Sequence, residues 1–344
     1  MSFTSPLKPS PSQPSASAIA RLTVEDLTGP DAIAQAEHSA AQDVIAGLQG
    51  QPKTLPPRYF YDDLGSTLFE QICTLPEYYL TRTETAILTT YSADIAAITG
   101  PCDLVELGSG SSTKTRILLN AYAGQAQLKY CPIDVSASIL KSSAEALLED
   151  YPTLKIHGLV STYEQALAQL PPSQYPHRLI CFIGSTLGNL SPKSCAAFLK
   201  QIRQALQPGD FFLLGVDLQK PIATLEAAYN DAQGVTAAFN LNMLRHLNRK
   251  FDGSFDLDCF EHSARYNAEE NQIEMHLRSL VDQKVTLNSL DLTVEFAAGE
   301  TIRSEISRKF TADGIAQSLE AQGLTPLNIW SDPKRWFAVA LARA

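Results

Sequence analysis

The sequence predicts an α/β fold: a parallel sheet with helices on both faces, joined to a second block of α+β character. Three observations carry this expectation. From Asp103 to Asp217 short apolar runs alternate with helical stretches, the pattern of successive βαβ units. The first of those runs ends in a glycine turn, Gly108-Ser109-Gly110, that leads into a helical stretch. After Lys220 the pattern changes to a long helical segment and then to period-two alternation.

Taken in order, residues 1–18 are rich in Ser and Pro with one charge, Lys8, and should form a mobile tail. The tail has neither the apolar region of a signal peptide nor the arginines of a transit peptide. Asp31 to Leu48 has helical spacing and ends at Gly50, a C-cap residue. Pro52 to Pro57 reads as a linker. The following stretch is dense in aromatics (Tyr59, Phe60, Tyr61, Phe69, Tyr78, Tyr79), most of them explained by core packing. Tyr61 and Tyr78 stand at breaks in the helical pattern, where a hydroxyl can face a cleft.

The strands expected next are DLVEL, LKYCPID, KIHGLV, RLICFIG and FFLLGVD. Helices between them include ASILKSSAEALLED, opened by Ser136, and SPKSCAAFLKQIRQAL, with Ser191 as cap and Pro192 in its first turn. Ligands of such sheets sit beyond the carboxyl ends of the strands, here Gly108–Lys114, Asp134, Ser161–Tyr163, Gly184–Asn189 and Asp217, the first four forming one expected cleft. Beyond Lys220, LEAAYNDAQGVTAAFNLNMLRHLNRK reads as helical. Ile273/Met275/Leu277 and Ile302/Ser304/Ile306 then read as alternating strands. Lys309 to Ala344 returns to helix and strand and should complete the first sheet. The expected organisation is a tail over 1–18, a substrate-binding α+β domain from 19–83 plus 220–308, and a sheet domain from 84–219 plus 309–344.

Composition narrows the function. With 344 residues, 44% hydrophobic, the chain can build a large core. A net charge of −10 argues against nucleic acid, which is bound mainly through cationic contacts to phosphate. No run reaches the roughly 18 continuous apolar residues of a membrane span. The six cysteines form no C-x-x-C pair and the six histidines no H-E-x-x-H, so a metal is not expected and a reducing, cytoplasmic setting is.

The glycine turn admits three ligand classes. A dinucleotide fingerprint needs a third glycine where Thr113 stands. A phosphate loop fits Gly108 to Thr115 except at its second glycine, also Thr113. S-adenosylmethionine suits an acid-x-Gly-x-Gly turn after the first strand and an acid closing the second, here Glu106-Leu107-Gly108-Ser109-Gly110 and Asp134. The third reading is favoured; a nucleotide site and a ligand-free structural turn stay open. The turn FIGSTLGNL, residues 182–190, can present Asn189 and the Gly184 amide to a substrate, or be an ordinary loop of an α/β sheet.

Eight stretches together resemble the L-histidine Nα-methyltransferases of the ergothioneine pathway. They are YFYDDLGSTLFEQICTLPEYYLTRTE, VELGSGSSTKT, IDVSASIL, FIGSTLGNL, AYNDAQGVTAAFNLNML, IEMHLRS, GETIRSEISRKF and WSDPKRWFAVAL. The resemblance implies a class I, Rossmann-like methyltransferase sheet with a second α+β domain, S-adenosylmethionine as methyl donor and L-histidine as the small-molecule substrate; a monomer is expected, although the sequence does not give the oligomeric state. It implies that Gly108, Gly110, Lys114 and Asp134 line the cofactor pocket, with Tyr61 reaching in from the second domain and Thr162 and Tyr163 at the adenine. Asn189 and Tyr229 would hold the histidine carboxylate, Gly184 and Phe69 would surround its amine, and Tyr78, Met275, Glu305 and Ser307 would form the imidazole end. Thr162 departs from the family, which usually has an acid there; a backbone carbonyl or Asp150 is the alternative acceptor. Rival readings are a methyltransferase for tryptophan or tyrosine and a nucleotide-binding P-loop protein.

Overall fold

The computed structural model describes residues 20–27, 29–110, 112–125 and 127–344, with 30–36 by backbone alone. The expected tail over 1–18 lies outside the described residues. The chain begins with β1 (Leu22–Asp26), α1 (Pro30–Gln49), β2 (Lys53–Thr54), α2 (Asp63–Thr74) and α3 (Tyr79–Thr99). It continues through β3 (Cys102–Leu107), α4 (Thr115–Ala121), β4 (Lys129–Asp134), α5 (Ala137–Asp150), β5 (Lys155–Val160), α6 (Tyr163–Ala168), β6 (His177–Phe182), α7 (Pro192–Ala205) and β7 (Phe211–Asp217). Next come α8 (Ile222–Ala227), α9 (Val235–Phe251), β8 (Phe260–Asn267), β9 (Gln272–Ser279), β10 (Gln283–Leu287), β11 (Leu292–Phe296) and β12 (Thr301–Arg308). The last elements are α10 (Ala312–Glu320), β13 (Thr325–Ser331) and β14 (Phe337–Arg343).

Eight strands form one sheet in the order β1-β5-β4-β3-β6-β7-β14-β13, parallel from β1 to β7 and antiparallel beyond. After β3 the chain builds outward through β4 and β5, then returns to place β6 on the other side of β3. That reversal opens a crevice beyond the carboxyl ends of β3, β4 and β6. Alternation along β3 separates two cores: Leu104 packs on one face, Val105 and Leu107 on the other. The helices start where their caps stand. Ser191 Oγ accepts from the Ser194 amide at 3.2 Å ahead of α7, and Ser136 Oγ from the Ile139 amide at 3.4 Å ahead of α5.

A second sheet, β2-β12-β9-β8, joins the N-terminal segment to the region after Lys220, because Lys53 and Thr54 pair with Ile302 and Arg303. Its apolar face continues the first core through Ile273, Met275, Leu277 and Ile302. Among the described residues, no helix is long and apolar enough to cross a membrane.

Three sequence expectations need correction. The partition that gave residues 19–83 to the second block fails at β1, which pairs in parallel with β5 as an edge of the large sheet. Four of its five side chains are exposed, so backbone pairing rather than apolar burial holds it there. The guanidinium of Arg21 adds bonds to the carbonyls of Leu148, Tyr151 and Leu154. The single helix expected after Lys220 is two, α8 and α9, separated where Gly234 takes φ +73°. Asp231 caps the second by accepting from the Val235 and Thr236 amides at 2.9 and 2.8 Å. The alternation Ile302/Ser304/Ile306 does not survive either. The register of β12 against β9 shifts by one residue between Arg303 and Glu305.

Candidate active site

The turn after β3 is held open by backbone geometry. Gly108 has φ +71° and Gly110 φ +47°, conformations that suit glycine. A Cβ on Gly108 would come within 2.7 Å of the Tyr163 hydroxyl, so that ring lies directly on the turn. Asp134 accepts from the Gly110 amide at 3.1 Å and the Ser136 amide at 2.9 Å, leaving further lone pairs on both oxygens. Ser109 Oγ is buried with no partner, and a Cβ on Gly110 would meet nothing within 4 Å. An open glycine cradle, an unspent hydroxyl and a carboxylate on one rim fit the ribose and amino-acid parts of S-adenosylmethionine.

Lys114 begins α4, and its ammonium pairs with Glu84. The Glu84 carboxylate also accepts from the Gly184 amide, at 2.8 Å and 3.0 Å to its two oxygens. A Cβ on Gly184 would sit 3.4 Å from Lys114 Nζ. Gly108, Gly110, Lys114, Asp134, Tyr163 and Gly184 therefore gather at the crevice. Sequence reasoning missed Glu84, which is 1% exposed. The available signal was an acid on the buried stripe Leu80, Glu84, Ile87, Leu88 of α3.

Glu106, the acid of the turn, is buried and engaged within the protein: it accepts from the hydroxyls of Thr115 and Tyr130. Burial still pushes its carboxyl up to about 7. Thr162 is exposed and caps α6, its Oγ accepting from the Gln165 amide at 3.4 Å. One lone pair of the expected adenine acceptor is thus engaged. Asp150, the alternative, is paired with Arg116 at 2.8 Å.

The other wall is aromatic. Tyr61 lies 5.9 Å from Phe69, Phe69 6.4 Å from Tyr78, and Tyr78 6.3 Å from Tyr229, by ring centroids. Phe239, which sequence reasoning did not single out, backs this row at 5.8 Å from Tyr61 and 6.0 Å from Phe69. Tyr61 is 48% exposed at the mouth. The protein wall around its phenol and then the Glu305 carboxylate raise its pKa, and Tyr163 adds to the same effect. The segment from Gly184 to Asn189 joins the two walls, with Gly184 beside Lys114 and Gly188 against Ser307.

At the far end Glu305 lies opposite Met275, with Ser307 two residues on. Among the described residues nothing hydrogen-bonds or ion-pairs with the Glu305 carboxylate. Burial pushes it up to about 7, with Lys309 pulling the other way. Ser307 Oγ lies 2.8 Å from the Tyr229 hydroxyl. The short turn Thr186–Asn189 packs against this strand, since a Cβ on Gly188 would come within 2.9 Å of the Arg308 carbonyl and 3.7 Å of Ser307 Oγ. Asn189 is the last residue of that turn.

A family model described as histidine-specific, SAM-dependent methyltransferase matches residues 40–344. The chain belongs to this family of methyltransferases. It is 47% identical to the histidine N-alpha-methyltransferase of Mycolicibacterium smegmatis, over 89% of this chain and 95% of the relative. To the histidine N-alpha-methyltransferase of Mycobacterium tuberculosis it is 43% identical, over 94% and 99%. An L-tryptophan methyltransferase of Psilocybe serbica is 27% identical over 94% of this chain and 98% of the relative. The eight-stranded sheet is accordingly a class I methyltransferase sheet, and S-adenosylmethionine is the methyl donor of this family of enzymes.

Proposed function

We propose that the enzyme transfers three methyl groups in turn to the α-amine of L-histidine, giving hercynine for ergothioneine synthesis. The observation that carries this reading is the unpaired Glu305 carboxylate beside Ser307, at the end of an aromatic cleft that starts at the cofactor turn. An imidazole offers an N–H to such a carboxylate and a bare nitrogen to the neighbouring hydroxyl, whereas an indole has one N–H and no second ring nitrogen.

In this reading Asp134 accepts from ribose hydroxyls, and Gly108, Gly110 and Tyr163 flank the nucleoside, with Thr162 at its outer edge. Lys114, held by Glu84, sits where the donor's amino-acid end would lie. Asn189 and Tyr229 hold the histidine carboxylate, Gly184 and Phe69 surround the amine, and Tyr78, Met275, Glu305 and Ser307 take the imidazole. S-adenosylmethionine supplies a methyl group on a sulfonium. The protein's task is alignment, bringing amine nitrogen and methyl carbon to roughly 3 Å in line.

The nucleophile is the neutral amine, which the Phe69 wall favours by desolvation. No histidine or lysine in the matching motifs stands as a dedicated base, so the proton leaves to water, with Tyr61 the second candidate as a relay. Growing positive charge on the nitrogen is accommodated by the faces of Phe69, Tyr61 and Tyr78. The six free cysteines support a cytoplasmic setting.

The test is incubation with S-adenosylmethionine and each of the twenty amino acids, read by mass. Addition of three methyl groups to histidine alone is expected. Methylation of tryptophan or tyrosine in preference would overturn the assignment.

A further inference from the structure

Where β12 leads into α10 the protein holds a second pocket, of about 430 Å³. Small-molecule sites usually measure roughly 300–1,000 Å³, so this one can take a metabolite-sized ligand. Helix α7 lines it with Pro192, Cys195 and Leu199, and α10 with Gly314 and Ser318. Backbone bonds at the junction of the two sheets fix the strand segment between those helices. The Phe310 amide donates to the Asp217 carbonyl and the Gln219 amide to the Phe310 carbonyl, each at 2.9 Å. The Lys309 amide donates to the Asn271 carbonyl at 2.7 Å, which ties the β8–β9 turn to the same segment.

This pocket is separate from the cleft. Near the end of β12, Ser307 turns inward to the Tyr229 hydroxyl, 2.8 Å away. Arg308, across from Gln272, takes the other face, which it shares with Ile306 and Glu274. The Lys309 side chain is 0% exposed. Its ammonium goes to Asp217 at 2.9 Å, Ser307 Oγ at 2.8 Å and the Tyr229 hydroxyl at 3.1 Å, so it offers the pocket no charge. Two residues adjacent in the chain, Ser307 and Arg308, therefore serve two different spaces.

Arg308 is what points to a ligand. It is half-buried and lines the pocket, yet among the described residues its guanidinium pairs with no carboxylate, carbonyl or hydroxyl. Its neighbours are the Cys195 thiol and the Phe310 ring, whose centroid is 5.2 Å from the guanidinium carbon. A thiol and a ring face leave most of five N–H donors unspent. The other charged side chain of the lining is Glu270. Arg308 and Glu270 balance, so a dianion such as phosphate would meet no net positive charge. A monocarboxylate matches the planar fork of the guanidinium with two parallel hydrogen bonds. Leu199, Cys195 and Phe310 offer apolar surface to a hydrocarbon body.

We propose that this pocket is a second binding site, for a small organic monocarboxylate with an apolar body, held through its carboxylate by Arg308. The site is independent of methyl transfer and of the histidine reading of the cleft.

Benzoate is the probe, titrated by calorimetry into the full-length protein with S-adenosylhomocysteine and histidine present in excess. One saturable benzoate site is expected. Arg308→Gln should weaken it on the order of tenfold or more, as loss of a charge-assisted pair predicts. The thermal melt should stay near wild type, because the guanidinium has no polar partner in the protein to leave behind. Ala196→Trp fills the pocket from an exposed position on α7 with Arg308 intact, and should weaken benzoate as much. Absence of a saturable site, or wild-type benzoate affinity in either variant, would overturn the inference. Displacement of benzoate by histidine or S-adenosylhomocysteine would do the same by placing the probe in the cleft. Inorganic phosphate binding more tightly than benzoate, and losing that affinity in Arg308→Gln, would overturn the monocarboxylate assignment.

Discussion

Glu305 stands directly across from Met275 because Ser304 is an extra residue in β12, without a partner in β9. Ile302 faces Leu277 and Glu305 faces Met275, so two residues three apart share one face of the strand. A regular strand forbids that, since its faces alternate at every residue. Ser304 is anchored there by its hydroxyl, which donates toward Asn240 Oδ1 at 2.7 Å or the Met275 carbonyl at 3.1 Å. The bulge turns Glu305 and Ser307 inward and leaves Arg303 and Ile306 on the outer face with Glu274 and His276.

Glu305→Ala should weaken histidine binding while sparing the cofactor side. A charge-assisted hydrogen bond is worth about 1.5–3 kcal/mol, so histidine affinity should fall on the order of 10–100-fold. S-adenosylhomocysteine affinity should stay near wild type. Calorimetry with each ligand decides it, and an unchanged histidine affinity would remove Glu305 from the pocket.

The same carboxyl makes ligand-free stability depend on pH. Folding raises it from 4.5 to about 7, so between those values the folded state binds more protons than the unfolded one. Stability contributed at this site therefore falls as pH rises from about 4.5 to about 7. Glu305→Gln removes that loss. Thermal melts should show the variant more stable than wild type at pH 8, with the gap narrowing toward pH 4.5; a gap independent of pH would contradict the assignment.

Gly108→Ala tests the cofactor turn. The substitution sets a side chain at φ +71°, costing about 1–2 kcal/mol, and drives a Cβ toward the Tyr163 hydroxyl. Titration with S-adenosylhomocysteine should show affinity falling about tenfold or more, which corresponds to ~1.4 kcal/mol. Adding Tyr163→Phe should restore part of it, because the atom in the way is gone. No recovery would mean that backbone strain alone explains the loss.

Glu84→Gln should loosen the join between α3 and the crevice. It leaves the Lys114 ammonium without its anion and weakens the acceptor of the Gly184 amide. Loss of a charge-assisted contact predicts about 2 kcal/mol of stability by denaturant melt, together with weaker S-adenosylhomocysteine binding. Wild-type behaviour in both measurements would make Glu84 a bystander.

What the sequence determined by itself is local. The apolar runs of β3 to β7, the serine caps of α5 and α7, and the glycine turn with Asp134 follow from residues close together in the chain, where steric and hydrogen-bonding preferences act directly. Motif resemblance then singled out residues distant in the chain as site candidates, from Tyr61 and Phe69 to Glu305 and Ser307. Only the tertiary structure decided that β1 closes the edge of the large sheet, that the helix after Lys220 stops at Ala227 and a second, capped by Asp231, starts at Val235, and that a bulge turns Glu305 inward. The same holds for the two buried charges, Glu84 and Lys309, whose partners lie far away in sequence: 100 residues separate Glu84 from Gly184 and 80 separate Tyr229 from Lys309. A lone acid or lysine in an apolar stretch announces a cost. Which groups offset that cost depends on chain segments that meet only after folding.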